Sequence, residues 1–185
     1  VYVISALIIT SGIGLQLTAE ESQSVAGNEI EWVTDFNKAK EIAQKENKDL
    51  LLDFTGSDWC VWCKRLKSEV FSQKAFIDDA LNEFVMVELD FPRNKELPEE
   101  LRKQNIKLQA KYAADSYPTI ILADAKGRAY ARTGYQPGGA ENYIKHLDQL
   151  QENKKKRNEL FEKAEKAEGL EKAKLLAQAL EELDE

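Results

Sequence analysis

The chain of 185 residues is long enough for one domain of ordinary size with appendages, and its 43% hydrophobic and 9% aromatic residues suffice for a packed core. The formal net charge of −7 comes from the two ends, because residues 1–37 contribute −5, residues 38–150 contribute 0 and residues 151–185 contribute −2. This distribution leaves no basic face for nucleic acid, while two cysteines and one histidine exclude a disulfide-scaffolded mini-protein and leave few ways to build a zinc centre.

The amino-terminal segment is uncharged and apolar. No charged side chain occurs in residues 1–19, and residues 1–15 are rich in Val, Ile, Leu and Ala. Such a run is typical of a secretory signal peptide or a short membrane anchor, and a buried segment of a cytoplasmic domain is the alternative. A signal peptide begins with Met and a basic region, whereas the first lysine here is Lys38, so we expect the true start to precede Val1. We therefore assign residues 1–26 to a signal peptide or membrane anchor with its linker.

Alternating helix and strand patterns follow from Ile30, in the order β-α-β-α-α-β-α-β-β-α. Asp35 and Ser72 are the predicted N-caps of the first and third helices. The turn sequence at 124–127 joins the last two strands as an antiparallel hairpin, so we predict an α/β fold with a mixed central sheet sandwiched by helices. The first predicted strand lies near Ile30, and the others cover 50–54, 84–89, 119–122 and 128–132. The predicted helices cover 36–46, the cysteines to about 70, 73–82, about 101–114 and a segment after 138–139.

Both cysteines lie where a buried strand turns into a helix. Cys60 falls at the predicted N-terminus of that helix, and Cys63 lies one turn further on, close enough to form a disulfide. A thiolate at a helix N-terminus faces unpaired backbone N–H groups and the positive end of the helix dipole, which lower its pKa from about 8.5. We therefore expect Cys60 to be the attacking nucleophile and Cys63 the more buried resolving thiol.

Three other interpretations of the cysteine pair are open. A structural disulfide that closes only four residues would contribute roughly 2 kcal/mol, the weak end of the range. A metal site would need two more ligands, which His146 on the last helix is badly placed to provide, so we assign no metal. Two unpaired core thiols are the third possibility, but the neighbouring Asp58, Lys64 and Arg65 favour a partly exposed position.

A proline stands at the start of the predicted strand 119–122. Because proline cannot donate a hydrogen bond to a ladder, Pro118 is expected at the first strand position, and a cis Tyr117–Pro118 bond is predicted there. The strand order would bring these two residues over the cysteine pair. The Tyr117 backbone would then be free to pair with an extended peptide substrate.

Taken together, residues 30–150 resemble the thioredoxin superfamily, and the resemblance implies that fold. It also implies that Asp53 is a buried proton-transfer carboxylate, with a locally hydrogen-bonded strand aspartate as the alternative. By the same resemblance, Tyr117-Pro118 is the cis-proline substrate loop and Gly134 a backbone contact beside the active site. Residues 53–60 look closer to secreted bacterial thioredoxin-like proteins, and to the C-terminal domain of the transmembrane disulfide reductase, than to cytoplasmic thioredoxin. The residues that carry the resemblance are Asp53, Trp59-Cys60-Val61-Trp62-Cys63-Lys64, Tyr117-Pro118-Thr119 and Thr133-Gly134.

The residues between and beside the two cysteines differ from those of thioredoxins. Val61 and Trp62 stand between the cysteines, where thioredoxins have Gly-Pro. That dipeptide helps to set the redox potential, so the sequence does not separate a reductant from an oxidant. Trp59 and Trp62 are candidate substrate-binding residues, and the alternative is a lid that excludes water from Cys63.

The carboxyl-terminal segment 151–185 is highly charged and predicts two helices, 153–167 and 170–182, separated at Gly169. We assign it to a charged helical hairpin that docks on the domain or on a partner, and a solvated extension is the alternative. The predicted apolar stripes are Leu160, Phe161, Ala164 and Ala167 on the first helix and Leu170, Ala173, Leu176, Ala177, Leu180 and Leu183 on the second.

Two classes of function follow. The first is an extracytoplasmic thiol:disulfide oxidoreductase of the bacterial periplasm that acts on client proteins through Cys60 and Cys63. A soluble or membrane redox partner would reset the pair, since no nucleotide or flavin motif occurs and no cofactor is expected. The second is a binding or adaptor module that holds a partner through the cis-proline face or the C-terminal hairpin without redox turnover.

Overall fold

The computed structural model describes residues 30–182. The predicted signal peptide or anchor and its linker, as well as Leu183, lie outside the described residues. The elements are α1 Phe36–Glu46, β1 Asp49–Thr55, α2 Val61–Leu66, a π-helical segment Lys67–Phe71, α3 Lys74–Glu83, β2 Phe84–Asp90, α4 Glu99–Lys111, β3 Thr119–Ala123, β4 Ala129–Thr133, α5 Gly139–Lys166 and α6 Gly169–Glu181.

The strands form one mixed sheet, as predicted, and their order is β2-β1-β3-β4. Strand β1 pairs with β2 in parallel and with β3 antiparallel, and β3 and β4 form the predicted hairpin. The strand expected near Ile30 is reduced to an isolated parallel bridge of Val33 with Val87. The Val33 N–H donates to the Met86 carbonyl at 2.9 Å, but the cap of α1 follows at Asp35 and leaves no length for a strand.

Helices cover both faces of the sheet, which confirms the predicted sandwich. Successive side chains of β1 point to opposite faces, so Leu50 and Leu52 enter one core and Leu51 enters the other. The first core is closed mainly by Phe36, Ala39 and Ala43 of α1 and by Leu108 and Tyr112. The second, which lies under the cysteine-bearing helix, is closed mainly by Leu66, Val70, Phe76, Ala80, Tyr143 and Leu147.

One predicted helix cap is confirmed and the other is wrong. Asp35 accepts hydrogen bonds from the N–H groups of Asn37 and Lys38 at 2.8 and 3.0 Å and so starts α1. Ser72 does not cap α3. Its hydroxyl instead donates to the Lys67 carbonyl at 2.9 Å, because the preceding helix continues through the π-helical segment and ends there.

The last two helices form an antiparallel pair. Helix α5 passes without a break through residues 150–153, so the predicted boundary near residue 150 lies inside a single helix of 28 residues. Its predicted stripe is partly or fully buried, and Ala164 is only 1% exposed. No helix within residues 30–182 is both long and apolar enough to cross a membrane.

The apolar stripe predicted for α6 is wrong. Leu170 and Leu180 are 73% and 57% exposed, whereas Ala179, which lies outside the stripe, is fully buried. Other apolar residues lie beside the predicted stripe on the same helix, so the hydrophobic periodicity did not show which face of α6 is buried. The buried face is the one that contains Ala179, whose small side chain permits close packing against α5.

A partly buried ion pair links the distal half of α5 to the sheet. The Lys154 ammonium lies 2.6 Å from the Asp49 carboxylate, which also accepts the Tyr130 hydroxyl proton at 2.9 Å. The side chains of Lys154 and Asp49 are only 21% and 16% exposed, so their charges are poorly solvated. This contact ties residues beyond 150 to the start of β1.

We expect Lys154→Met to lower the free energy of unfolding by about 1–3 kcal/mol, because it leaves the Asp49 carboxylate without its cation. Urea denaturation followed by circular dichroism measures the change. The matched control is Lys155→Met, since the Lys155 side chain is 71% exposed and should contribute little. Equal unfolding free energies for the two variants would show that the pair does not stabilise the fold.

Candidate active site

Cys60 and Cys63 are joined in a disulfide across the first turn of α2, with their Cα atoms 5.3 Å apart. Cys60 is the N-cap, and its sulfur accepts a hydrogen bond from the Cys63 N–H at 3.1 Å. The predicted position of Cys60 at a helix N-terminus is therefore observed. The expected greater burial of Cys63 is not observed, because both cysteines are 5% exposed in the disulfide form.

The turn between β1 and the disulfide is hydrogen-bonded to the end of β2 and to the loop that follows it. The Asp90 carboxylate accepts hydrogen bonds from the Ser57 N–H at 2.9 Å and the Ser57 hydroxyl at 2.7 Å. Asp58 in turn accepts the N–H groups of Arg93 and Asn94. These two carboxylates hold in place the backbone segment that leads to Cys60. The sequence did not indicate this role for either of them.

Trp59 forms part of the wall beside the disulfide. Its indole N–H donates to the Phe91 carbonyl at 2.8 Å, and its ring packs edge-on against Tyr117 with 5.5 Å between centroids. The Arg93 guanidinium lies 3.7 Å above the indole ring. The structure therefore brings Trp59 and Tyr117 together, as expected for residues of one site. A side chain at Gly56 would collide with this indole, whose nearest atom is 2.5 Å from the position of a Cβ.

The Tyr117–Pro118 bond is cis, as predicted, and it immediately precedes β3. Gly134 lies against this loop, since a Cβ on Gly134 would come within 3.0 Å of the Pro118 carbonyl oxygen. The Tyr143 hydroxyl donates to the Gly134 carbonyl at 3.1 Å and holds this backbone in place. Gly134 therefore lies beside the Tyr117–Pro118 loop.

Trp62 lies on the exposed side of α2. Its side chain is 51% exposed and that of Val61 is 73% exposed. The Trp62 ring packs against Tyr135 at 5.2 Å, and the Arg65 guanidinium lies over both rings at 5.4 and 5.2 Å. Glu69 then binds Arg65 and the Tyr135 hydroxyl at 2.6 Å each. The Trp62 ring is thus an exposed apolar surface beside the disulfide that Tyr135 and Arg65 hold in place. The Trp59 ring is instead packed against Tyr117.

Asp53 lies beneath the disulfide in a cavity of about 50 Å³ that Cys63 also lines. Asp53 is 7% exposed, and its Oδ1 atom has no hydrogen-bond partner within residues 30–182. The described residues therefore give Oδ1 no hydrogen bond of the kind that the alternative, a locally hydrogen-bonded strand aspartate, would require. Burial, reinforced by the negative charges of Glu88 and Asp90, raises the pKa of Asp53 to about 8.

The same cavity contains charged residues that sequence reasoning missed. Glu88 and Lys67 line it together with Asp53 and Cys63. The alternation of β2, which places Glu88 and Asp90 on the same face as Met86, is the signal that could have identified Glu88. No set of three potential metal ligands occurs within residues 30–182, and His146 contacts Thr133 at 2.8 Å.

Comparison with known proteins gives one family and several relatives. A family model described as a thioredoxin-like domain matches residues 36–151. The disulfide bond reductase DsbH of Chlamydia pneumoniae is 34% identical over 125 residues, which cover 68% of this chain and 75% of the relative. The thioredoxin-related protein DsbJ of the same organism is 29% identical over 63% of this chain, but the match covers only 34% of DsbJ.

Solved structures agree with the family match. The structure of a DsbH oxidoreductase is similar with a TM-score of 0.64 and 33% identity, covering 76% of this chain and 94% of that one. A protein of Bacteroides thetaiotaomicron, described as a putative disulphide-isomerase, shares the fold with a TM-score of 0.51 and 24% identity, over 67% of this chain and 94% of that one.

Proposed function

The chain belongs to the thioredoxin-like domain family, and on that premise we propose that it is a protein thiol:disulfide oxidoreductase that works as a reductase. The observation that carries the proposal is the Cys60–Cys63 disulfide at the start of α2, beside the cis-proline loop. The direction of electron flow is supported by the 34% identity to a protein named a disulfide bond reductase, most of whose length this chain matches.

The catalytic cycle moves two electrons from the reduced cysteine pair to a client protein. The Cys60 thiolate attacks a client disulfide, forms a mixed disulfide and releases the first client thiolate. Cys63 then loses its proton and attacks the Cys60 sulfur, which releases the second client thiolate and restores the Cys60–Cys63 disulfide. A dithiol partner, soluble or in a membrane, reduces this disulfide and becomes oxidised, so the cycle needs no bound cofactor.

Asp53 is the proton carrier of this cycle. Asp53 and Cys63 line the same cavity, and its volume of about 50 Å³ is large enough for a water molecule between the two groups. With its pKa raised to about 8, the carboxyl is largely protonated at pH 7 and can give its proton to the Cys63 thiolate when the disulfide is reduced. It takes the proton back when Cys63 attacks.

Client proteins bind across the surface formed by Trp62, Trp59, Tyr117, Pro118 and Gly134. Trp62 supplies exposed apolar area next to the disulfide. The backbone before Pro118 is available to pair with an extended client segment, which adds main-chain hydrogen bonds without requiring a particular sequence. The site therefore suits an unfolded or extended client.

The protein acts outside the cytoplasm, in the bacterial periplasm. The uncharged residues 1–19 support this location, because such a segment directs export or anchors a chain in a membrane. Fractionation of the native organism with an antibody against the domain tests it. Recovery of the protein in the cytosol with an unprocessed amino terminus would contradict this location.

The decisive experiment is the reduction potential of the cysteine pair, measured by equilibration with glutathione, combined with an insulin-reduction assay. A value near about −270 mV with active insulin reduction supports a reductase, and one near about −120 mV indicates an oxidant. Absence of insulin turnover at any potential would instead favour the adaptor function.

We expect brief iodoacetamide treatment of the reduced protein to label Cys60 before Cys63. Cys60 is the N-cap of α2, where the helix dipole stabilises a thiolate, whereas Cys63 lies one turn inside and lines the cavity. Peptide mass spectrometry over a time course measures the order. Labelling of Cys63 first would reverse the two roles.

A further inference from the structure

Arg93 places a positive charge at the edge of the client surface. Its guanidinium lies over the Trp59 ring, 3.7 Å from the ring centroid, and Trp59 directly precedes Cys60 in the chain. The same indole packs edge-on against Tyr117 of the cis-proline loop, with 5.5 Å between centroids. Arg93 therefore stands on a side chain that joins the disulfide segment to the cis-proline loop.

The guanidinium of Arg93 is available for binding. It forms no ion pair and donates no hydrogen bond within residues 30–182, where the Trp59 ring is its contact. A guanidinium that lies over an aromatic ring keeps its N–H donors in its own plane, in the fork that fits a carboxylate. Because the residue is exposed, an approaching molecule can reach these donors.

Two other cations near the disulfide are already neutralised. Arg65 is paired with Glu69 at 2.6 Å, although it too lies over aromatic rings. Lys95 is paired with Asp90 at 2.9 Å. Arg93 differs from both because no carboxylate within residues 30–182 neutralises its charge through an ion pair.

The loop that carries Arg93 is held by Asp58. The Asp58 carboxylate accepts the backbone N–H groups of Arg93 and Asn94, at 3.0 and 2.6 Å, and so fixes the loop after β2 against the turn before the disulfide. The Lys64 ammonium donates to the Asp58 carbonyl at 2.8 Å and adds a second positive charge at this turn. The position of Arg93 over Trp59 is therefore built into the backbone.

We propose that Arg93 is a specificity-determining residue that selects client proteins with a carboxylate side chain beside the reactive disulfide. This inference rests on the proposed oxidoreductase function. A client carboxylate repels the attacking Cys60 thiolate and destabilises the client thiolate that leaves, and a cation beside the reacting sulfur atoms offsets both effects. The whole chain carries a net charge of −7 and would otherwise repel an acidic client.

The test uses two synthetic peptides, each with one intramolecular disulfide, that differ only in having Glu or Gln beside one cysteine. The pre-reduced full chain reduces each peptide in a single turnover, in which the protein dithiol becomes a disulfide and the peptide disulfide becomes a dithiol. Each second-order rate constant is divided by that of the same peptide with dithiothreitol, which removes the intrinsic effect of the carboxylate on the peptide.

We expect the normalised rate constant to be about two- to fivefold higher for the Glu peptide than for the Gln peptide. This ratio should fall to about one in Arg93→Met, be retained in part in Arg93→Lys, and decrease as salt is added. The matched control is Lys174→Met, which removes one exposed positive charge from α6 and should keep the wild-type ratio.

A wild-type ratio of one overturns the inference, and so does an equal fall in Arg93→Met and Lys174→Met. If Arg93 only packs on Trp59, Arg93→Met changes both rate constants alike and keeps their ratio, which also overturns the inference.

Binding of the same peptides with both cysteines replaced by serine, followed by tryptophan fluorescence, separates this inference from the proposed function. Reduction of both peptides at equal normalised rates, with equal binding, defeats this inference alone. Tighter binding of the Glu peptide that is lost in Arg93→Met, without reduction of either disulfide peptide, supports selection by charge and defeats the oxidoreductase function. Equal binding without reduction defeats both.

Discussion

Replacing Cys63 with serine should lower insulin-reducing turnover by about 10³-fold or more while trapping client proteins on Cys60. The variant keeps the nucleophile at the start of α2, so the first attack still occurs. It lacks the second thiol, so the mixed disulfide cannot be resolved from within the site. Non-reducing electrophoresis of the variant expressed in cells, followed by mass spectrometry of the trapped bands, measures both effects.

The matched control is Cys60→Ser, which removes the nucleophile and retains Cys63. It should lose turnover to a similar extent but trap few clients, because Cys63 is one turn inside the helix and lines the buried cavity. Normal turnover by the Cys63→Ser variant would show that the pair does not act as proposed. Equal trapping by both variants would show that the two thiols have no separate roles.

Asp53→Asn should make the oxidised protein more stable by about 2–4 kcal/mol at pH 7. The pKa of Asp53 is about 8 in the folded state, against an unfolded value of about 3.9. Between these values the folded state binds one more proton at this position than the unfolded state does. Stability of the wild type therefore falls as pH rises from about 4 to 8, by about 1.4 kcal/mol per unit at most from this group, and the neutral amide removes that loss.

Denaturation of wild type and Asp53→Asn at several pH values measures the effect as a difference. The two curves should converge near pH 4 and diverge as pH rises. Asp78→Asn is the matched control, because Asp78 is an exposed partner of Lys74 on α3. Parallel curves for wild type and Asp53→Asn would show that Asp53 titrates in the folded protein as it does in an unfolded chain.

The same substitution should slow catalysis although it stabilises the protein. Removing a positioned proton carrier typically costs about 10²–10⁴-fold in the proton-transfer step. We expect the loss in the rate at which Cys63 resolves mixed disulfides, measured by stopped-flow tryptophan fluorescence with Trp59 and Trp62 beside the disulfide as reporters. A variant that is more stable and less active would identify Asp53 as a functional residue rather than a structural one.

Much of the local structure could be predicted because single residues determine where helices and strands begin. Asp35 caps a helix because its carboxylate accepts backbone N–H groups, and Pro118 precedes a strand because proline has no backbone N–H to donate to a ladder. Ser72 obeyed the same local rule in the sequence and was assigned wrongly. The preceding helix extended through the π-helical segment, and its last carbonyls competed for the hydroxyl.

Local sequence patterns were enough to predict the order of the elements from α1 to β4 and the placement of Cys60 at a helix start, and the family resemblance implied the position of Gly134 beside the active site. Periodicity and caps are enough for the elements because each is encoded in a short stretch of chain, whereas the position of Gly134 followed from the resemblance alone. The tertiary structure alone decided that Glu88 and Lys67 share a cavity with Asp53, and that Ala179 rather than the leucine stripe of α6 is buried. These outcomes depend on which distant segments pack together, since burial and charge at one residue are set by neighbours from other elements.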